Sequence, residues 1–391
     1  MTHVPKVLHI SKFYPPVKGG IETVAQILCK ELQPYADIEV LAANTTNFRQ
    51  DDIIDSIPVH RAGTLFRFLN MPICPAMPAM IRELKPDLVH LHWPNPAALL
   101  ALLQSKYDGP SVVTYHADLL RLYPFSLVLA PVVHRFLERS AAIFVSSENY
   151  VRSSPFLPRH EHKCRIAPFG IYTERFHAVR AEEIAAIRAQ HKTPILLAVC
   201  RLSHYKGLTH LFRAMRGVDA TLLVIGNGPQ RKRLEGEIRR HKLENKIRLL
   251  GEVGDIVPYY QACDIFVLPS VNRGEAFGVV QLEAMACAKP VINTSIPSGV
   301  PFVSPHMVTG LTVPPEDSSA LCRAINTLLT DTELSSRLGQ AGLERINNFF
   351  TIENMIAPVL RSYREVLGLS SNKTVTADSA SLGSSALPPI C

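Results

Sequence analysis

The stretch Ser270-Val271-Asn272-Arg273-Gly274-Glu275-Ala276-Phe277-Gly278-Val279-Val280-Gln281-Leu282-Glu283 sets two carboxylates in a run that is otherwise mostly apolar. Just upstream, Cys263 to Pro269 is a short apolar run with β-branched and aromatic residues, which reads as a buried strand. Downstream, Phe277 to Ala288 reads as a helix that is apolar on most of its circumference and stops before Lys289-Pro290. A helix of that kind is mostly buried, and a buried unpaired carboxylate costs several kcal/mol or titrates to neutral. Glu275 and Glu283 should therefore each have a partner. The turn also offers the backbone N–H groups of Phe277, Gly278 and Val279 at the positive end of the helix. Carboxylates that accept from hydroxyls, beside a helix start that binds anions, suit a ligand carrying both hydroxyls and phosphates. A nucleotide sugar is such a ligand.

The segment Glu275-Ala276-Phe277-Gly278 with Glu283-Ala284-Met285, placed after a strand, resembles the retaining glycosyltransferases of the two-Rossmann-domain (GT-B) type, glycosyltransferase family 4. That family includes bacterial lipopolysaccharide and capsule mannosyltransferases, and its pair of glutamates eight positions apart matches Glu275 and Glu283.

Composition agrees with such a fold. A chain of 391 residues exceeds what one core normally holds, so two domains of roughly 150–200 residues are expected. Apolar content of 47% against 19% charged residues supplies ample core. The eight cysteines form no Cys-x-x-Cys pair and sit mostly in apolar runs, as reduced core residues of a cytosolic protein do. No signal peptide and no spanning helix are read. The formal charge of +7 calls for an anionic partner. Nucleic acid is disfavoured, because the basic residues are dispersed and no binding motif appears.

In the first half, strand candidates at Val7–Ile10, Ile38–Ala42, Val59–Arg61, Leu88–His92 and Ala141–Ser147 alternate with helical stretches, which argues for a parallel doubly wound sheet. Ligands of such sheets sit at the C-terminal strand ends. The loop Pro15-Pro16-Val17-Lys18-Gly19-Gly20 lies at one such end, and glycine there allows a phosphate to approach the backbone. In the family it faces the donor diphosphate and the acceptor, so the resemblance makes Gly19 and Gly20 site residues. By the same resemblance His116, in Thr114-Tyr115-His116-Ala117-Asp118, reaches the donor sugar, with Asp118 beside it. His92 and Asn95 are candidates for the acceptor side. Leu65–Leu69 with Met71–Ile73, and Leu119–Ala130, mix large apolar side chains with arginine. Core packing is the preferred reading of both, and contact with a membrane surface the rival.

In the second half, Pro194–Cys200 restarts the strand pattern and leads into Arg201-Leu202-Ser203-His204-Tyr205-Lys206-Gly207, where a guanidinium and an ammonium could clamp a diphosphate. The family places an Arg and a Lys-Gly in this turn. Leu222–Gly228 ends in a Gly226-Asn227-Gly228 turn of the kind over which a nucleotide lies, and the loop at Val253 is where the family holds the base. Two late helices, Ala320–Leu329 and Glu333–Asn347, are followed by a helix at Ile352–Leu367 that the resemblance sends back onto the first domain.

The expected organisation is a first Rossmann-like domain over 1–175, a linker over 176–193, a nucleotide-sugar domain over 194–351, a returning helix over 352–368 and a disordered tail over 369–391. The expected catalytic set is His116, Arg201, Lys206 and Glu275. The expected donor-binding set is Gly19, Gly20, Asp118, Gly226, Gly228, Val253, Ala276, Phe277, Gly278, Val279 and Glu283. No cofactor and no metal are expected, since no Asp-x-Asp motif is present. The implied reaction moves a sugar from a nucleotide diphosphate to a glycan or lipid-linked glycan, with the enzyme cytoplasmic or peripheral on the inner face of the plasma membrane. GDP-mannose is the expected donor, although UDP-sugar enzymes share every residue named, and a silent scaffold is the alternative from another class.

Overall fold

The computed structural model describes residues 4–17, 19–68, 71–119 and 125–369. The expected tail lies outside them, apart from Leu369. The strands of the first half are β1 Lys6–Ser11, β2 Asp37–Ala43, β3 Gln50–Ile54, β4 Ile57–Ala62, β5 Phe66–Phe68, β6 Met71–Ile73, β7 Leu88–Trp93, β8 Ser111–Tyr115, β9 Ala142–Val145 and β10 Cys164–Ile166. Those of the second half are β11 Ile195–Val199, β12 Thr221–Ile225, β13 Ile247–Gly251, β14 Ile265–Val267, β15 Val291–Thr294 and β16 Gly310–Val313.

Eight of these build one sheet in the order β10-β9-β8-β7-β1-β2-β4-β3, and six build a second in the order β13-β12-β11-β14-β15-β16. Within these two sheets all pairings are parallel except β3 on β4. The central strands β1, β7 and β11 are almost wholly buried between helices; β11 reads as a continuous apolar run, whereas His9 in β1 and His90 and His92 in β7 interrupt theirs. In each sheet the strand order reverses beside a central strand, at β1 in the first and β11 in the second. Ligand crevices open at such points.

Several expectations are adjusted. The helix after Glu275 spans Val279–Ala286 only, because Gly278, its N-cap residue, has φ 77°. A Cβ on Gly278 would also come within 2.7 Å of Leu268 Cδ2 and 2.8 Å of Gln281 Nε2. Gly278→Ala is expected to destabilise the fold by about 1–2 kcal/mol, measured as a lower urea midpoint at unchanged slope. The stretch expected as a linker carries the helix Ala181–Ala189, which packs on the helix Val257–Ala262 of the second half. Arg188 and Arg180 also pair there with Asp264 and Asp255.

The core reading of the first arginine-bearing segment holds only in part. In the β5/β6 hairpin Leu65, Phe66 and Phe68 stand out at 66%, 54% and 46% exposure, whereas Pro72 is buried and Met71 packs on the first-half core; Leu69 lies outside the described residues. In the other arginine-bearing segment, Leu119 is buried and residues 120–124 lie outside the described residues.

The helix Ile352–Leu367 returns to the first half, where it packs against the helix Gly20–Leu32 and β9. The amide of Gly170 donates to Met355 Sδ at 3.4 Å along this seam. Phe277 of the second half stands edge-on to Phe169 of the first at 5.0 Å and to Phe350 at 5.9 Å. One apolar cluster thus runs through both halves.

Candidate active site

The turns after β11 and β14 are stitched together by Val271 N–H donating to the Tyr205 carbonyl at 2.8 Å. This brings Lys206 and Glu275 into a buried ion pair, each 8% exposed, and Ser270 Oγ donates to Glu275 Oε2 at 3.2 Å. Burial by itself would lower the Lys206 pKa, but the adjacent Glu275 carboxylate outweighs it and the ammonium titrates above its ordinary range. Lys206 is therefore a fixed cation at neutral pH. The partner expected for Glu275 is this lysine. Glu283 finds its own partner in Tyr260, whose hydroxyl donates to Oε2 at 2.6 Å. Burial raises the Glu283 pKa, and the Tyr260 hydrogen bond offsets part of the rise.

Arg201 is exposed, and its guanidinium has no protein partner among the described residues. Its turn is laced to the β12 loop, with Leu202 N–H donating to Asn227 O at 2.9 Å and Gln230 N–H to Leu202 O at 3.0 Å. Gly226 (φ 126°) permits this, since a Cβ there would collide with the Cys200 carbonyl. Gly228 approaches Leu202 in the same way. The half-buried Val253 follows in the β13 loop, which the Gly226 N–H joins through the Gly251 carbonyl at 2.7 Å. Ala276 packs toward the first half, and its carbonyl accepts from Gly299 N–H at 2.7 Å. The N–H groups of Phe277, Gly278 and Val279 have no protein acceptor among the described residues.

In the first half, Gly19 and Gly20 open the helix Gly20–Leu32 just past the loop that follows β1, and Gly20 faces open space. The Glu22 carboxylate lies against Gly19, and burial raises its pKa. His116 follows β8 with its ring stacked on His92 at 5.3 Å and tilted against Phe169 at 5.3 Å. Phe169 in turn touches Phe277, so His116 reaches the second-half helix turn through one intervening ring.

Asp118 departs from its expected place. Tyr115, Tyr150 and Ser154 hydroxyls donate to its carboxylate at 2.8, 3.0 and 2.6 Å, and Arg273 of the second half pairs with it at 2.6 Å. Arg273 also donates to the Ser153 carbonyl and lies over the Tyr150 ring. With these partners the carboxylate serves the junction between the halves. The acceptor-side candidates are likewise engaged internally. Asn95 caps the helix Pro96–Gln104 by accepting from Ala98 N–H at 3.2 Å, and His92 is hydrogen-bonded to two other histidines.

Sequence alone points to no role for Arg273, Tyr260, Tyr363 or the histidines His9 and His90. Arg273 lies inside the decisive stretch, and its charge in a buried turn was a usable signal. Its partner belongs to the other half, and no local pattern names it.

Two mostly parallel, doubly wound sheets that meet through the turns at their strand ends have the architecture of the GT-B sugar transferases. The chain matches the Glycosyltransferase Family 4 model over residues 18–175 and the Glycosyl transferases group 1 model over residues 179–345. It is 30% identical over 377 residues to O-antigen chain mannosyltransferase C of Escherichia coli, covering 93% of this chain and 99% of that one. It is 29% identical over 352 residues to D-rhamnosyltransferase WbpZ of Pseudomonas aeruginosa, covering 88% and 92%. Among solved structures, Anabaena HepE in complex with UDP-glucose superposes with a TM-score of 0.78 at 21% identity, over 92% of this chain and 100% of that one. The chain belongs to this family of GT-B glycosyltransferases and is an enzyme of that class.

Proposed function

We propose that the enzyme transfers mannose from GDP-mannose, with retention at the anomeric carbon, to a lipid-linked glycan of a bacterial surface polysaccharide. The observation that carries the reading is the convergence of free Arg201, charged Lys206 and Glu275 at one pair of strand ends. Arg201 and Lys206 stabilise charge developing on the leaving diphosphate. Glu275 holds donor-sugar hydroxyls, Glu283 the ribose, and the unpaired amides of 277–279 a phosphate. The leaving phosphate takes the acceptor proton, so the reading needs no carboxylate nucleophile and no metal. Support for mannose comes from the relatives: one is named a mannosyltransferase, and the other transfers D-rhamnose, a 6-deoxy sugar of the same configuration. A UDP-sugar is the second reading, favoured by the UDP-glucose complex of HepE.

Among the described residues no helix is long and apolar enough to cross a membrane. The exposed Leu65, Phe66 and Phe68 beside Arg67 support a peripheral seat on the inner membrane face, where a lipid-linked acceptor would be met.

A thermal-shift screen against GDP, UDP, ADP and their sugars tests the donor, because a ligand bound only by the folded state stabilises it by about 2.7 kcal/mol at a hundredfold excess over Kd. GDP and GDP-mannose are expected to raise the Tm. A rise with UDP compounds alone would replace the donor, and no rise with any nucleotide would favour a silent scaffold. The anomeric configuration of the product, read by NMR, tests retention.

A further inference from the structure

Four histidines, a tyrosine and a threonine form one unbroken hydrogen-bonded chain beneath the first-half strand ends. Thr114 Oγ1 lies 2.7 Å from His90 Nε2, and His90 Nδ1 lies 2.6 Å from the Tyr363 hydroxyl. That hydroxyl lies 3.1 Å from His9 Nε2, and His9 Nδ1 lies 3.0 Å from His92 Nε2. His92 Nδ1 lies 3.0 Å from His116 Nε2, where the chain ends. Every member is buried, none more than 4% exposed. Burial lowers the pKa of all four rings, that of His92 to about 3, so all are neutral.

A neutral imidazole has one donor and one acceptor nitrogen, and a hydroxyl has one proton to donate. Such a chain has only two consistent states, with every proton directed toward His116 or every proton directed toward Thr114. In the second state His90 donates to Thr114, and the buried Thr114 hydroxyl proton has no acceptor, since its side chain has no other polar partner among the described residues. An unsatisfied buried donor is disfavoured. In the first state Thr114 donates to His90, His90 to Tyr363, Tyr363 to His9, His9 to His92, and His92 to His116. The one donor left over is then the N–H at His116 Nδ1, at the end of the chain.

We infer that this chain fixes the tautomer of His116, so that its Nδ1 carries the proton and meets the ligand as a hydrogen-bond donor. His92, His9, His90 and Tyr363 are positioning residues, and the order set at Thr114 reaches His116 only through the hydroxyl of the last helix. The inference deepens the transfer reading, since it takes His116 to face the donor.

The test is 15N NMR of histidine-labelled enzyme, with His116 assigned by its loss in His116→Gln. All four chain histidines should appear as the neutral Nδ1–H tautomer. Tyr363→Phe, which removes only the central hydroxyl, should leave His116 as a mixture of tautomers and lower kcat on the order of tenfold, with the donor KM within about twofold. Thr114→Val repeats the test from the far end of the chain, should either variant fold poorly. A wild-type His116 in the Nε2–H or charged form overturns the proposal. So does a Tyr363→Phe enzyme with an unchanged His116 spectrum or unchanged kcat. The spectrum needs no substrate, so an enzyme inactive with GDP-mannose would overturn the donor assignment and leave the chain still tested.

Discussion

Lys206→Ala should abolish transfer and weaken the fold together. Loss of a preorganised cation that meets developing charge costs about 2.7–4 kcal/mol in the transition state, a rate loss on the order of a hundred- to a thousandfold. Removing Lys206 also leaves Glu275, 8% exposed, as a buried carboxylate without its counter-ion. Breaking such a pair costs about 3–5 kcal/mol of stability. The two losses are separable. Lys206→Met combined with Glu275→Gln removes both charges at similar volume, and stability should return to within about 1 kcal/mol of wild type, read by urea unfolding, while transfer stays absent. Wild-type turnover by folded Lys206→Ala protein would remove Lys206 from the reaction.

Arg273→Ala should be the most damaging change outside that pair. Its guanidinium is the only cation paired with Asp118 among the described residues, and the Asp118 side chain is 1% exposed. Three hydroxyls would remain around the carboxylate, but they are neutral and do not replace the charge. A stability loss of about 3–5 kcal/mol is expected. Adding Asp118→Asn to Arg273→Ala should recover much of it, because the stranded charge is then gone. If the double variant is no more stable than Arg273→Ala alone, the loss lies in the packing of Arg273 over Tyr150 rather than in the charge pair.

Much of the fold is legible because buried parallel strands have to be apolar on both faces. The runs at β11 and β12 show that pattern throughout, β1 and β7 show it apart from their buried histidines, and the helix Ile352–Leu367 falls on its expected bounds. The edge strand β3 escapes notice, since Gln50-Asp51-Asp52 is polar and mostly exposed and pairs only on one side. The β5/β6 hairpin misleads in the opposite direction, as its aromatic residues look like core and stand in solvent. At the site, the need of Glu275 and Glu283 for partners follows from burial alone. The identities of those partners, Lys206 and Tyr260, depend on how separate turns meet. Asp118, His92 and Asn95 sit at strand ends as a ligand set would. Their side chains are claimed by Arg273, by neighbouring histidines and by a helix cap; the Asn95 cap, Asn before Pro three residues from its donor, is legible locally, but the partners of Asp118 and His92 in other elements are not.

The order in which the chain is synthesised acquires a meaning from Tyr363. His9 and His90 lie in the earliest and central strands of the first sheet, yet the hydroxyl that joins them arrives with the final helix. A nascent chain whose first half has already collapsed carries a polar gap at its centre until residues 352–367 leave the ribosome. Only a chain that includes that helix can close it, so fragments ending before it hold His9 and His90 without the hydroxyl that links them.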